Sequence, residues 1–163
     1  MHPTYLKKRG FALTRRFRAP VEAVWAAWTE PEQLGWFFNP DNASTVPISV
    51  ELRVGGEWRQ EMVISPTHRY MTGGLFTQIV PGVRLQFLHG ARGGWPDLEP
   101  EPADCPRCTM SLVPIATGTQ MLFEVQLPDH LSEDQVKAWM ECGMVPGWNM
   151  TIDRLLPQMR EAA

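Results

Sequence analysis

The chain has 163 residues, about the size of one ordinary domain, and is long enough to bury a core without disulfides or metal. Its hydrophobic residues (44%) and charged residues (20%) are in the proportions of a soluble globular protein, and the formal net charge is −3. This slightly acidic balance gives no reason to expect nucleic acid or an anionic membrane as a partner. We expect a single domain over residues 1–163, with residues 1–9 as an N-terminal extension.

The start of the chain lacks the apolar run of a signal peptide, and no stretch approaches the ~20 apolar residues that a membrane span requires. The three cysteines fit a reducing compartment better than a disulfide framework. We therefore expect a cytoplasmic location.

The first elements are a strand and two short helices. Phe11, Leu13 and Phe17 alternate with polar residues, which predicts a strand. A helix is predicted to start at Ala19-Pro20-Val21-Glu22, because proline is favoured in a first turn and an acid complements the helix dipole. Thr29 and Glu32 have the spacing of a capping box, so a second short helix is predicted to carry Trp36.

The period changes to that of strands near residue 45. Ile48, Val50 and Leu52 alternate with polar residues, and Gly55-Gly56 then predicts a turn. Further alternating runs predict an antiparallel meander with one apolar face; they are EWRQEMVIS, GGLFTQIV, VRLQFLH, CTMSLVPI and TQMLFEVQLP. Residues 90–104 are rich in Gly, Pro and acids, which predicts a loop inserted in the meander.

Helical spacing returns at the end of the chain. Ser132 and Gln135 can form a capping box at the start of this helix. Its apolar stripe is Val136, Trp139, Met140, Met144, Trp148, Ile152, Leu155 and Met159. Pro146 is predicted to kink the helix, because proline removes an amide donor and clashes with the preceding turn.

Five segments resemble, in order and spacing, motifs of the heat-shock-protein ATPase activator homologue family of the START-like (SRPBCC) superfamily. They are APVEAVWAAWTEPEQLGWF, ELRVGGEWRQEM, GGLFTQIVPGVRLQF, GTQMLFEV and PGWNMTIDRL, and the resemblance extends from Phe11 to Leu155. The chain departs from the family pattern at Glu51, where aspartate is usual, at His89, where an aromatic is common, and in the length of the 90–104 insertion.

The resemblance implies an α+β helix-grip fold, in which a curved antiparallel sheet wraps around a long C-terminal helix, with two short helices after the first strand. A cavity between sheet and helix would then hold a ligand. Strand parity and helical spacing direct one set of side chains toward this space, so these are the predicted ligand-binding residues. They are Trp36, Trp58, Gln60, Met62, Phe87, His89, Met121, Trp139, Met144 and Trp148.

The tryptophans of the first helical region admit two interpretations. Trp25 and Trp28 lie at helical spacing with Val21 and Val24, which favours packing of the first helix onto the body. Trp36 is either core or a lid over the cavity, and we predict that it closes the pocket.

The sequence predicts no catalytic residues. Nucleophile-elbow, phosphate-loop and paired-carboxylate motifs are absent. His89 is either hydrogen-bonded to a backbone carbonyl or to solvent at the rim of the cavity, or it donates a hydrogen bond to the ligand. Gln60 and Tyr70 are weaker candidates for polar contact with the ligand. An acidic partner for them is not evident in the sequence.

Cys105-Pro106-Arg107-Cys108 is half of a familiar metal or redox pattern. Zinc usually requires four ligands, and the one further cysteine is Cys142. A redox pair is expected at a helix N-terminus, whereas this pair leads into a predicted strand. We expect a structural use for these cysteines, with neither a metal nor a cofactor.

Three functions remain open. The leading hypothesis is a non-enzymatic domain that binds a small, mainly apolar ligand in the cavity. The resemblance also implies a co-chaperone-like interaction module with a chaperone partner, although the sequence before Phe11 offers no second domain of the kind those activators carry. The third is a cyclase- or hydrolase-type enzyme. We also expect association as a twofold homodimer, the commonest assembly.

Overall fold

The structure, a computed structural model, describes residues 3–5, 9–37, 44, 46–90 and 101–162. An antiparallel sheet dominates the described part, and its strands lie in the spatial order β1-β2-β8-β7-β6-β5-β4-β3. The strands are β1 (Thr4–Tyr5), β2 (Gly10–Phe17), β3 (Ser49–Val50), β4 (Glu57–Ser65), β5 (His68–Val80), β6 (Arg84–His89), β7 (Arg107–Ile115) and β8 (Gly118–Gln126).

The helices lie in two parts of the chain. Helix α1 (Val21–Thr29) and a 3-10 helix (Pro31–Trp36) follow β2, and a second, one-turn 3-10 helix (Pro102–Asp104) precedes β7. The C-terminal part consists of α2 (Glu133–Glu141), α3 (Met144–Asp153) and α4 (Leu155–Ala162). The predicted α+β helix-grip architecture is confirmed, with a curved sheet against a bent C-terminal helical segment.

Alternation along the strands produces one buried face. On β8, Met121, Phe123 and Val125 are fully buried, whereas Gln126 is exposed. The neighbouring strands keep this parity, because Phe123 lies opposite Leu13 on β2 and Met110 on β7. The core therefore lies between one face of the sheet and the C-terminal helices.

Two glycines in the middle of β5 let the adjacent strands approach closely. A Cβ on Gly73 would lie 1.8 Å from the carbonyl oxygen of Trp58, and a Cβ on Gly74 would lie 2.8 Å from the ring of Phe87. A register irregularity follows between Phe76 and Gln78. Glycine and bulges are the usual means of bending a strand, so this part of β5 explains much of the sheet's curvature.

The strand boundaries differ from the prediction in three places. Thr4–Tyr5 of the predicted N-terminal extension pairs with β2. The alternation around Ile48 yields only the two-residue β3, and Leu52 is 44% exposed. Strand β5 begins at His68 rather than Gly73, because β4 and β5 form a hairpin that extends to a turn at Pro66-Thr67.

The predicted capping box at Thr29 does not form. The Thr29 hydroxyl donates to the carbonyl oxygen of Trp25 at 2.8 Å, and Glu30 is the N-cap residue of the following 3-10 helix, without a side-chain cap. By contrast, both hydrogen bonds of the capping box at Ser132 are present: the Ser132 hydroxyl accepts from the backbone amide of Gln135, and the Gln135 side chain accepts from the backbone amide of Ser132. A hydroxyl that bonds back into its own helix cannot cap the next one, which explains the difference.

The C-terminal helix bends at Gly143 rather than at Pro146. Gly143 has φ +95°, a left-handed conformation that separates α2 from α3. Pro146 lies in the first turn of α3, before the first intrahelical bond, in which the amide of Gly147 donates to the carbonyl oxygen of Gly143 at 2.9 Å. The missing amide of Pro146 therefore removes no helical bond. The predicted bend of the C-terminal helix near Pro146 is confirmed, but it arises at Gly143 and not from the proline.

Most of the predicted 90–104 insertion lies outside the described residues, since these exclude 91–100. No helix in the described ranges combines the length and the apolar character needed to cross a bilayer.

Candidate functional site

Aromatic and imidazole rings from both layers meet between the sheet and α3. We call them the ring cluster: Trp28, Trp36, Phe37, Trp58, Phe87, His89, Phe123 and Trp148. Phe123 of β8 lies 4.5 Å from Trp148 of α3 between ring centroids, so the cluster joins sheet and helix directly. Trp58 of β4 and Phe87 of β6, the strands on either side of β5, are in edge contact with ring centroids 5.7 Å apart.

A small space, which we call the interior void, lies beside this cluster. It is lined by Trp28, Leu34, Trp36, Trp58, Phe76, Leu85 and Phe87. The centre of a water-sized sphere has only about 10 Å³ available in it. This is about the space that one water molecule requires, so in this conformation the side chains fill the interior almost completely.

The predicted ligand-binding residues are all buried, but they divide into two groups. Trp36, Trp58 and Phe87 line the interior void. The others are buried elsewhere in the core: Gln60, Met62, His89, Met121, Trp139, Met144 and Trp148. Trp139 of α2 makes no ring contact with the ring cluster within the described ranges.

Sequence reasoning missed Leu34, Phe76, Leu85 and the role of Trp28. Trp28 was expected to serve only in packing α1, with Trp36 alone closing the pocket, yet the two indoles are in edge contact at 4.9 Å and both line the void. Helical spacing had placed Trp28 correctly on the inner face of α1. The spacing could not show that the 3-10 helix brings Trp36 against the same ring.

Gln60 connects the sheet to the 3-10 helix Pro31–Trp36. Its side-chain amide donates to the carbonyl oxygens of Leu34 at 3.0 Å and Phe37 at 3.4 Å. Its side-chain oxygen accepts from the indole N–H of Trp58 at 3.2 Å. A buried amide satisfied at both ends positions its neighbours, so Gln60 holds the 3-10 helix over the interior.

His89 is fully buried among rings. Its imidazole lies 5.2 Å from Trp148 and 6.4 Å from both Trp58 and Phe87, centroid to centroid. Burial lowers the pKa of His89 from 6.5 to about 4, because desolvation penalises the charged form. The imidazole is therefore neutral at neutral pH, and this part of the core carries no charge from it.

The four tryptophans of the ring cluster differ in how their indole N–H groups are satisfied. Trp36 donates to the carbonyl oxygen of Ala27 at 2.8 Å, and Trp58 donates to Gln60. The N–H groups of Trp28 and Trp148 are buried and have no acceptor in the described part of the chain. A buried donor without an acceptor costs about 1–3 kcal/mol, so these two groups require an explanation.

The protonation state of the Cys105 and Cys108 thiols does not favour redox chemistry. Burial raises the pKa of Cys105 to about 12, with smaller contributions from Asp104 and Glu101, and burial also raises the pKa of Cys108 well above its usual value. Neither thiol is therefore a thiolate at neutral pH. Within the described residues no group of three or more His, Cys, Asp or Glu side chains has the arrangement of a metal site.

Two open grooves on the surface are larger than the interior void. One, of about 700 Å³, lies between turns around Pro20, Gly82 and Pro114. The other, of about 840 Å³, lies beside Arg9 and His130, whose imidazole is 2.6 Å from a carboxylate oxygen of Asp104. These grooves are wide and solvent-exposed, whereas ligand sites usually enclose most of a small molecule, so we place the candidate site in the interior.

Comparison with solved structures gives the same fold. Protein NE0264 from Nitrosomonas europaea is 26% identical, with 93% of this chain and 94% of that chain covered and a TM-score of 0.72. A protein from Arthrobacter aurescens is 26% identical, with 94% and 87% covered and a TM-score of 0.73. Protein Ms6760 from Mycobacterium smegmatis is 18% identical, with 100% and 99% covered and a TM-score of 0.76.

The comparison of sequences gives the family. No curated protein matches the chain significantly. Residues 18–157, well over half of the sequence, match the family described as "Activator of Hsp90 ATPase homolog 1-like protein". The predicted resemblance is thereby confirmed: the chain belongs to the Activator of Hsp90 ATPase homolog 1-like family, which is of the START-like (SRPBCC) type.

Proposed function

We propose that this protein binds a small, mainly apolar ligand at the interior void, which lies between the sheet and the helices that follow β2, namely α1 and the 3-10 helix Pro31–Trp36. One observation carries the proposal: the interior void is walled by aromatic rings from both layers, and one wall residue, Trp28, has a buried N–H without an acceptor in the described residues. Apolar walls with a few polar groups are the usual composition of a small-molecule site. The unbonded N–H of Trp28 costs free energy in the core, and an acceptor on a ligand would recover that cost.

A ligand larger than one water requires the interior to open, and the 3-10 helix Pro31–Trp36 is the element best suited to move. It is short, and its described polar ties to the body are few: the two bonds from Gln60, the bond from Trp36 to Ala27, and a 3.3 Å bond from Gln158 to the carbonyl oxygen of Gln33. With so few hydrogen bonds to break, displacement of this segment is opposed mainly by the burial of Leu34 and Trp36, which an apolar ligand would replace. Displacement of Leu34 and Trp36 would enlarge the void from one side.

The interior is poorly suited to acid–base catalysis. The buried polar side chains of the described residues are Arg15, Thr29, Gln60, Thr72, His89, Thr119 and Thr151, and none of these is a carboxylate. Gln60 is engaged at both ends with protein groups, and Tyr70 is only half-buried at the far end of β5. General acid–base catalysis needs a group whose pKa lies near the working pH, and a neutral His89 with a pKa of about 4 does not meet this condition.

A co-chaperone role is the second candidate, and the family match over residues 18–157 favours it. In that case the surface of the domain, rather than its interior, would contact a chaperone. The test is the ATPase rate of an Hsp90-type chaperone with and without the purified protein. If the protein stimulates the ATPase rate in a concentration-dependent way, and still does so when a mutation fills the interior void, this function would be favoured over ligand binding.

The primary test fills the interior void by mutation. Leu85 lines the void, whereas Leu88 on the same strand lies half-buried on the opposite face, so Leu85→Phe and Leu88→Phe are matched variants. We expect the parent and Leu88→Phe each to bind about one molecule of the uncharged fluorescent probe N-phenyl-1-naphthylamine per chain. Leu85→Phe should bind the probe with an affinity at least about tenfold lower. This factor corresponds to about 1.4 kcal/mol, within the usual cost of overpacking. A folded parent that binds no probe, and carries no small molecule in native mass spectra, would refute the proposal.

A further inference from the structure

The next inference rests on the proposed function and concerns the chemistry of the ligand. Three indoles, those of Trp28, Trp36 and Trp58, line the interior void, and two of them donate to protein acceptors. Trp28 is 5% exposed, and its N–H has no acceptor in the described part of the chain. Trp148, whose ring lies 6.4 Å from that of Trp28 at an interplanar angle of 16°, is 3% exposed and has the same deficiency.

A single buried water is a poor explanation for these donors. A buried water typically makes about three hydrogen bonds and needs at least two polar partners. The other two indoles that line the void are already committed to Ala27 and Gln60, so Trp28 offers the one uncommitted side-chain donor on its wall. A carbonyl or ether oxygen of a ligand, by contrast, is satisfied by one donor and brings its own apolar surface to the rings.

The surrounding charges indicate that this ligand is uncharged. Arg15 is the one buried cation of the described residues, and it is already bonded to Asp153 at 3.0 Å and to the side chain of Asn149 at 2.7 Å. The remaining buried polar side chains are hydroxyls, the amide of Gln60 and the neutral imidazole of His89. A charged group placed here would be desolvated without a counter-ion, which is strongly unfavourable.

From these contacts we infer that the ligand is an uncharged molecule with a hydrogen-bond acceptor, which accepts from the indole N–H of Trp28. Trp148 does not line the void but stacks against Trp28, so it becomes a second donor only as the void enlarges around the ligand. The tryptophans of the site then have two roles. Trp36 and Trp58 wall the site with N–H groups committed to the protein, whereas Trp28 and Trp148 supply ring surface together with polar recognition.

Three probes of nearly one shape test this inference. 2-Acetylnaphthalene carries a carbonyl acceptor, 2-isopropenylnaphthalene replaces that oxygen with CH₂, and 2-naphthoate carries a charge. Binding is measured with the parent, Trp28→Phe and Trp148→Phe, and with Trp36→Phe as the matched control whose N–H is already bonded within the protein. The indole N–H resonances of the ¹⁵N-labelled parent, assigned from its own triple-resonance and NOE spectra, give a readout that does not depend on affinity.

We expect the parent to bind the ketone about 3- to 10-fold more tightly than the hydrocarbon, which is the range for one net hydrogen bond, and to bind 2-naphthoate most weakly. Trp28→Phe should abolish the preference for the ketone, and Trp148→Phe should reduce it. Trp36→Phe removes wall surface, so it should weaken the binding of ketone and hydrocarbon alike and keep the ratio of their affinities. The Trp28 N–H resonance of the parent should shift downfield with the ketone alone, a result that holds even if a variant does not fold.

The results distinguish a failure of the inference about the ligand from a failure of the proposed ligand-binding function. Equal affinity for ketone and hydrocarbon, without a shift of the Trp28 resonance, would refute the inference while the proposed ligand-binding function stands. Tighter binding of 2-naphthoate than of the ketone would refute the uncharged character of the ligand. Absence of binding for all three probes by the folded parent would refute the proposed function itself.

Discussion

His89 illustrates how a residue at the heart of the site is controlled by its surroundings. Strand parity places it on the inner face of β6 with Leu85 and Phe87. The described rings that contact it are uncharged; they are those of Phe37, Trp58, Phe87 and Trp148. The low pKa of about 4 follows from this desolvation. The same burial that makes His89 a poor acid–base catalyst makes it a source of acid sensitivity.

We predict that acid destabilises the protein through His89. The folded pKa of about 4 lies below the ordinary value of 6.5, so between these values the unfolded chain binds the proton and the folded chain does not. The free energy of unfolding therefore decreases as the pH falls through this window, by about 2 kcal/mol between pH 7.5 and pH 5 from this group alone. Above about pH 7.5 both states are deprotonated and the contribution is constant.

Urea unfolding of the parent and of His89→Phe at the two pH values measures this contribution. Phenylalanine keeps a ring at the position but cannot titrate, so the variant should lose about 2 kcal/mol less stability than the parent on acidification. His68 is exposed and serves as the control: His68→Phe should retain the parent's pH dependence. Identical pH profiles for the parent and His89→Phe would contradict the prediction.

The division of the C-terminal helix depends on one conformation. At Gly143 the backbone adopts φ +95°, which allows α3 to leave α2 at a new angle and bring Trp148 into the ring cluster. A side chain at this position would meet no other atom within 4 Å, so the requirement is for the backbone conformation and not for space. The bend is therefore a local property of this residue.

We predict that Gly143→Ala lowers stability by about 1–2 kcal/mol, because alanine disfavours the left-handed conformation. The matched variant Pro146→Ala should change stability by less than about 0.5 kcal/mol, since the proline removes no helical bond. Thermal or urea unfolding of the two variants measures the difference. A larger loss in Pro146→Ala than in Gly143→Ala would restore the proline as the origin of the bend.

At the scale of the whole molecule, the sequence predicts the layers well and the interior poorly. Strands β4, β6, β7 and β8 largely follow the period-two alternation, and the capping box at Ser132 marks the start of α2, because both signals are local. The size of the interior void depends on the combined volume of side chains from the helices and from the sheet. A local sequence pattern does not predict that volume. Likewise, the sequence places Trp28 on the inner face of α1 but cannot show that its N–H finds no acceptor there.

Arg15 joins the two layers at their edge. Its guanidinium is 3% exposed on the inner face of β2 and donates to Asp153 at 3.0 Å and to the side chain of Asn149 at 2.7 Å, both of which belong to α3. The carboxylate of Asp153 is 51% exposed, so the pair lies at the boundary between core and solvent. These bonds fix the position of α3 against the strand that begins the sheet's main body.

We predict that Arg15→Ala destabilises the fold by about 3 kcal/mol, because it removes buried charge-assisted bonds and leaves the side chain of Asn149 without its donor. Arg16 is the matched control: it follows on the same strand, is exposed, and contacts the side chain of Gln120 at 3.1 Å, so Arg16→Ala should cost less than about 0.5 kcal/mol. Urea unfolding gives both values, and amide hydrogen exchange shows where each variant loosens. Arg15→Ala should raise exchange in α3 before it raises exchange in β7 and β8, since the lost bonds hold α3 alone. Uniform loss of protection across the sheet and α3, or equal stability in the two variants, would show that Arg15 does not specifically join these layers.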